Sequence, residues 1–164
     1  MIRKVRDEDF EDIAKIYNYY VANTTNTLET DDVSPGEMKR RAAMIQEGKY
    51  PYIVCEHEGH VVGYAYAHPW KMGIWSFAYR YTFEITLYVD HFHTGHGIGG
   101  NLLDALIDHC KRKRVKSLIA SITFENERSI KFHERHGFKQ ASHFKQVGHK
   151  FGQFVDVVDV QMQL

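Results

Sequence analysis

The chain has 164 residues, 43% of them hydrophobic and 26% charged, with 21 Lys+Arg balanced by 21 Asp+Glu. That length suits one domain, taken here as 1–164, able to bury a core without disulfide or metal staples. Zero net charge gives no global pull toward nucleic acid or an anionic membrane. No span approaches the ~20 apolar residues of a membrane helix.

The elements follow in chain order. Ile2–Val5 reads as a short strand, and Asp7 can cap the helix after it, where Phe10, Ile13, Tyr17, Tyr20 and Val21 recur at helical spacing. Asn23–Asp32 is polar and Thr-rich, a loop. Ser34-Pro35-Gly36-Glu37 has capping-box spacing with Pro at the first helical position, and the helix it opens runs to about Gly48. Tyr52–Glu56 and Val61–Ala67 flank Glu58-Gly59-His60 as a hairpin. His68–Ala78 is irregular and aromatic. Tyr79–Asp90 reads as one long strand, Gly97–Arg112 as a helix, and Val115–Thr123 as a strand. Asn126–His136 is a helix stopped by Gly137, and Phe138–Val147 and Phe154–Leu164 are closing strands. Helices among strands throughout give an α/β or α+β class with a mixed sheet.

The N-terminus lacks the apolar stretch of a signal peptide. Cys55 and Cys110 fall in a strand and a helix pattern, as buried thiols. Both observations point to a reducing compartment, the cytoplasm.

The chemistry concentrates first at Thr94-Gly95-His96-Gly97-Ile98-Gly99-Gly100, between a strand and an amphipathic helix. Glycines let a backbone approach an anion closely, and unpaired first-turn amides with the helix dipole favour negative charge there. A pyrophosphate fits that description. No Lys follows the glycines, so this is not a Walker P-loop, and the glycine spacing fails the dinucleotide fingerprint.

Two motifs together resemble the GNAT superfamily of N-acetyltransferases. Gly97-Ile98-Gly99 matches the glycines of its Gln/Arg-x-x-Gly-x-Gly/Ala turn, with Thr94 at the first position. Asn126-Glu127-Arg128-Ser129 through His133 to Gly137-Phe138 matches its second motif, with His133 where Tyr is usual. The segments Gly63-Tyr64-Ala65-Tyr66-Ala67-His68-Pro69-Trp70, Ala78–Val89 and Val147–Val157 resemble the phosphinothricin acetyltransferase branch, so the likeness covers nearly the whole chain. It implies a mixed, mostly antiparallel sheet of about seven strands flanked by about four helices. It also implies acetyl-CoA as donor, a homodimer, and a small amino-acid-like amine as acceptor, of the phosphinothricin or methionine sulfoximine/sulfone type.

Acetyl transfer to an amine requires loss of an ammonium proton, stabilisation of an oxyanion and departure of a thiolate. Glu84 is the candidate base. It sits mid-strand, where burial would raise its pKa, although pairing with Arg80 would make it structural instead. His133 is the second catalytic candidate, as acid, base or a helix histidine beside His136. For the donor, the candidates are the backbone of Leu87, Tyr88 and Val89 on a splayed strand, the turn Thr94, Gly95, His96, Gly97, Ile98 and Gly99, and the side chains of Asn126 and Ser129. Asn126 is equally a good helix N-cap. For the acceptor they are Tyr79, Arg80, Tyr81, Lys150 and Phe154, Arg80 offering a fork to a carboxylate or phosphinate.

Three rivals stay open. His91-x-His93-x-x-His96 could ligate a metal, but no carboxylate motif completes a site. A CoA-binding module without catalysis would have no use for Glu84. The acceptor could be a protein N-terminus or an aminoglycoside, although no acidic cluster surrounds Glu84.

Overall fold

One sheet of seven strands runs through the computed structural model, which describes residues 1–164, in the order β1-β2-β3-β4-β5-β7-β6. The strands are β1 (Ile2–Lys4), β2 (Tyr52–His57), β3 (His60–Pro69), β4 (Thr82–Val89), β5 (Ser117–Thr123), β6 (Lys139–Lys150) and β7 (Gln153–Gln163). The helices are α1 (Phe10–Asn23), α2 (Pro35–Glu47), α3 (Ile98–Arg112) and α4 (Glu127–Arg135). Every neighbouring pair is antiparallel except β4 and β5. The mixed, mostly antiparallel architecture that the resemblance implied is therefore the one observed.

Alternation of side chains across the pleat divides the core in two. Tyr52, Val54 and Tyr64 face Phe10, Ile13 and Ile16 of α1 and Met38, Ala42 and Ile45 of α2. Ile53, Ala65, Phe83 and Ile85 face Leu102, Leu103, Leu106 and Cys110 of α3. The four-residue spacing of Leu102, Leu106 and Cys110 is what lays one stripe of α3 on the sheet. Both cysteines are free and buried, and burial pushes the Cys110 thiol up to about 12.

Several boundaries differ from the sequence expectation. Tyr79, Arg80 and Tyr81 precede β4 in a turn, because their backbone is satisfied locally: Tyr79 N–H donates to Trp75 O, Arg80 N–H to Phe77 O, and Thr82 N–H to Tyr79 O. Their aromatic alternation imitates a strand, but only the Tyr81 carbonyl reaches a neighbouring strand, accepting from Lys116 and Ser117 N–H. The final hairpin is longer than its pattern suggested, since β6 continues to Lys150 and turns at Phe151-Gly152, both with positive φ. At the first helix it is Asp9, not Asp7, that is buried. It takes two bonds from Arg3 at 2.8 Å and one from Arg6 N–H at 2.7 Å. Ser34 caps α2 as expected, its hydroxyl accepting from Glu37 N–H at 3.1 Å.

Candidate active site

β4 is zipped to β3 along its whole length but to β5 only at Thr82↔Ser117, Phe83↔Leu118 and Glu84↔Ile119. Beyond Glu84 the two strands part, and a cavity of about 750 Å³ opens through the sheet. The ladder fixes which backbone groups face it. Trp70 N–H donates to Thr82 O and Asp90 N–H to Val62 O, so even-numbered residues of β4 bond to β3. Leu87 and Val89 therefore turn their amides and carbonyls toward the gap, and Ile85 its carbonyl, while the Ile85 amide still closes the last bridge to β5 at Glu84↔Ile119. Tyr88 does not: its backbone belongs to β3, and it lines the cavity with its side chain alone. The Val89 carbonyl accepts from the Tyr20 hydroxyl of α1, which ties that helix to the end of the opening.

The glycine turn closes one end of the cavity. Gly95 and Gly97 have φ of 82° and 80°, and a Cβ at either would meet nothing within 4 Å. These glycines serve backbone shape rather than space. Gly97 precedes α3 in the left-handed conformation with no side-chain cap, and the first intrahelical bond is Asn101 N–H to Gly97 O. The amides of Ile98, Gly99 and Gly100 are thus free, with no acidic residue in the first turn to oppose an anion. Thr94, Gly95, Gly97, Ile98 and Gly99 line the cavity, whereas the His96 side chain is exposed outside it.

From the other side comes α4. Asn126 Oδ1 accepts from Ser129 N–H at 3.2 Å, so Asn126 is the helix cap while also lining the cavity with Ser129. His133, one turn on, is only 6% exposed and packs edge-on against Phe132 and Phe138, not against His136. Its Nδ1 donates to Ser129 O at 2.8 Å, which leaves Nε2 as the free ring nitrogen. Burial lowers its pKa.

Glu84 stands where the strands separate. It is half-buried, lines the cavity, and forms no hydrogen bond or ion pair within the protein. Burial raises its pKa, only partly offset by His68 across the ladder and by Lys71. The alternative of pairing with Arg80 is not what the structure shows. The Arg80 guanidinium stacks on Phe77 and Tyr81 and donates to Phe77 O at 2.7 Å.

The acceptor candidates do not gather at the cavity. Tyr79, Arg80 and Tyr81 lie on the exposed turn before β4, and Phe154 is 65% exposed on β7. Lys150 is buried, and its ammonium donates to Thr24 O at 2.7 Å and Thr27 O at 2.8 Å. It holds the α1–α2 loop. Asn26 of that loop does line the cavity, as do Tyr20, Arg128, Phe132 and His136. Phe132 and His136 lie three and seven residues after Ser129, on the same helical face, so the period of α4 could have named them. Nothing local marks Tyr20 or Asn26. His91 stacks on Tyr19, and His91 and His93 both turn Nδ1 toward Asp90, at 3.3 and 2.7 Å, whereas His96 reaches only the His93 carbonyl.

An acetyltransferase (GNAT) domain model matches residues 2–158. The chain belongs to the GNAT acetyltransferases. It is 36% identical to a phosphinothricin N-acetyltransferase of Alcaligenes faecalis, over 99% of this chain and 82% of that protein. It is 35% identical to an L-methionine sulfoximine/L-methionine sulfone acetyltransferase of Salmonella typhimurium, over 99% of this chain and 94% of that one. A GNAT phosphinothricin acetyltransferase from Sinorhizobium meliloti, solved in complex with acetyl-CoA, superimposes with a TM-score of 0.94 at 33% identity. That match covers 100% of this chain and 88% of the other. This GNAT chain is thus an N-acetyltransferase with acetyl-CoA as donor. Free amides at the α3 turn and the open edge of β4 fit the two polar parts of such a donor, a diphosphate and an amide-bearing arm. No helix is long and apolar enough to cross a membrane.

Proposed function

We propose that this GNAT enzyme acetylates the amine of a small amino-acid-like molecule, with Glu84 as the base. The observation that carries the reading is a half-buried carboxylate with no partner in the protein, at the point where β4 leaves β5. An unpaired buried carboxylate costs stability, and its raised pKa suits it to take a proton from an ammonium, directly or through water. The freed amine nitrogen attacks the thioester carbon, the C–S bond breaks, the sulfur leaves with its electron pair, and the nitrogen sheds its second proton, to His133 or to the departing thiolate. The Leu87 amide on the open β4 edge is oriented to stabilise the developing oxyanion.

His133 takes part as a proton acceptor. Its Nδ1–H is engaged by Ser129 O and burial favours the neutral ring, so Nε2 offers a lone pair near neutral pH. The side chains of Asn126 and Ser129 bind the pantetheine arm, beside the amides of Leu87 and Val89. A second copy of the chain covers Ile74, Trp75 and Phe77, which are 87, 61 and 74% exposed, making a cytoplasmic homodimer.

Thiol release from acetyl-CoA across a panel of amino acids, methionine sulfone, methionine sulfoximine and phosphinothricin tests the reading. Turnover with at least one, lost in Glu84→Gln while coenzyme A still binds by calorimetry, supports it. Absence of turnover with all of them, or full activity in the Gln variant, would sink it.

A further inference from the structure

A second cavity, of about 250 Å³, lies beneath α2 on the sheet face that carries Glu84, Thr86 and Tyr88. It is walled by Met38, Ala42 and Ile45 of α2 and floored by Tyr52, Tyr64 and Tyr66 of β2 and β3. His68 connects it to the base: this residue lines the cavity and stands opposite Glu84 in the β3–β4 ladder.

The floor is apolar except at its hydroxyls. Tyr64 is 1% and Tyr52 4% exposed. Neither hydroxyl has a hydrogen-bond partner in the protein, and neither is among the sealed unpartnered polar atoms, which are His91 Nδ1 and Thr123 Oγ1. Each therefore opens on the cavity it lines. Burial raises the pKa of both well above the ordinary tyrosine value, so they are neutral donors. The one guanidinium at the wall, Arg41, is already paired with Glu29 at 2.5 Å and with Glu37 at 3.1 Å. An anion placed here would meet hydroxyls, methionines and the His68 imidazole, whose Nδ1 is engaged by Pro69 O, but no free guanidinium or ammonium, a costly desolvation.

We propose that this cavity receives the acceptor's side chain and selects an uncharged chain that ends in a hydrogen-bond-accepting group, held by Tyr52 and Tyr64. The proposal rests on the amino-acid reading of the active site and assigns it a specificity pocket. A sulfone matches the pocket, a phosphinate does not, and an all-hydrocarbon chain fits but leaves both hydroxyls unpaired.

The test compares kcat/KM for methionine sulfone, norleucine and phosphinothricin in the wild type, Tyr52→Phe and Tyr64→Phe, the last two removing one oxygen each from an otherwise intact floor. The wild type should prefer the sulfone over both others by about tenfold or more. Each Phe variant should lower the sulfone-to-norleucine ratio by about tenfold, chiefly through KM. Ala42→Met, which fills the cavity from α2, should depress the sulfone relative to alanine as acceptor. Melting curves show whether each variant is folded. A sulfone-to-norleucine ratio that stays within about twofold in both Phe variants overturns the pocket while leaving acetyl transfer intact. A wild type preferring phosphinothricin also overturns it. A wild type that acetylates no amino acid removes the active-site reading, and this one with it.

Discussion

The two edges of β4 have opposite fates. Along β3 the strand is paired from Phe83↔Pro69 to Val89↔Gly63, whereas along β5 pairing stops at Glu84↔Ile119. The zipped edge is ordinary sheet, and a defect there should cost stability. The open edge leaves the Leu87 and Val89 amides without a strand partner, and the Glu84 carboxylate beside it has none in the protein, so a defect there should cost turnover or ligand affinity. One strand thus separates a structural task from a chemical one by the pleat alone.

The largest effect should fall on the open edge. Glu84→Gln should lower kcat by about 10²–10⁴-fold, as loss of a positioned base does. The same change should raise the melting temperature at neutral pH, because the buried carboxylate favours its neutral form. The sign follows from the raised pKa: this group's stabilising contribution is present at low pH and is lost as pH rises through its folded value. Glutamine cannot ionise, so it escapes that loss. A melting temperature that falls in the Gln variant would mean the carboxylate has a structural partner after all.

Next comes the zipped edge. A Cβ on Gly63 would lie 2.9 Å from Leu102 Cδ1 and 3.1 Å from Ile98 Cγ2. Gly63→Ala should destabilise by about 1–3 kcal/mol by overpacking, read from chemical denaturation. If Gly63→Ala instead left stability alone and abolished turnover, the contrast between the edges would be lost.

At the turn that continues the open edge, Gly97→Ala must hold φ near 80°, which costs an alanine about 1–2 kcal/mol. Acetyl-CoA should bind about tenfold more weakly by calorimetry, with little change in the KM of the amine. Lys150→Met reverses that pattern. It removes the two bonds to Thr24 and Thr27, so the KM of the amine should rise several-fold while donor affinity holds.

The smallest effect is on pH dependence. The acidic limb of kcat/KM should sit above the ordinary carboxylate range, since activity falls as Glu84 takes up a proton at its raised pKa. A limb at the ordinary position would point to a different base.

What was legible in the sequence was local. Thr94–Gly99 and Asn126–His133 could be read because turns and caps depend on neighbouring residues, and Glu84 because a carboxylate in mid-strand is out of place. Misplacements came where distant contacts decide. Tyr79–Tyr81 alternate like a strand, yet a local turn satisfies them first. Lys150 reads as a residue of the acceptor pocket, and carbonyls 123 and 126 residues earlier hold its ammonium. The parting of β4 from β5 leaves no mark in composition, and neither does the role of Tyr88, whose backbone direction is set by ladder parity.

The single parallel seam in the sheet has an evolutionary consequence. Two parallel neighbours need a long crossover, and here that crossover is α3, which must begin beyond the end of β4. In the proposed reading, topology therefore delivers the diphosphate grip and the catalytic opening as one unit. Were the amine selected on the opposite, α1–α2 face, as proposed, mutation there would retune the acceptor without disturbing the shared acetyl donor, and new acceptor preferences would arise by small steps on an unchanged chemical engine.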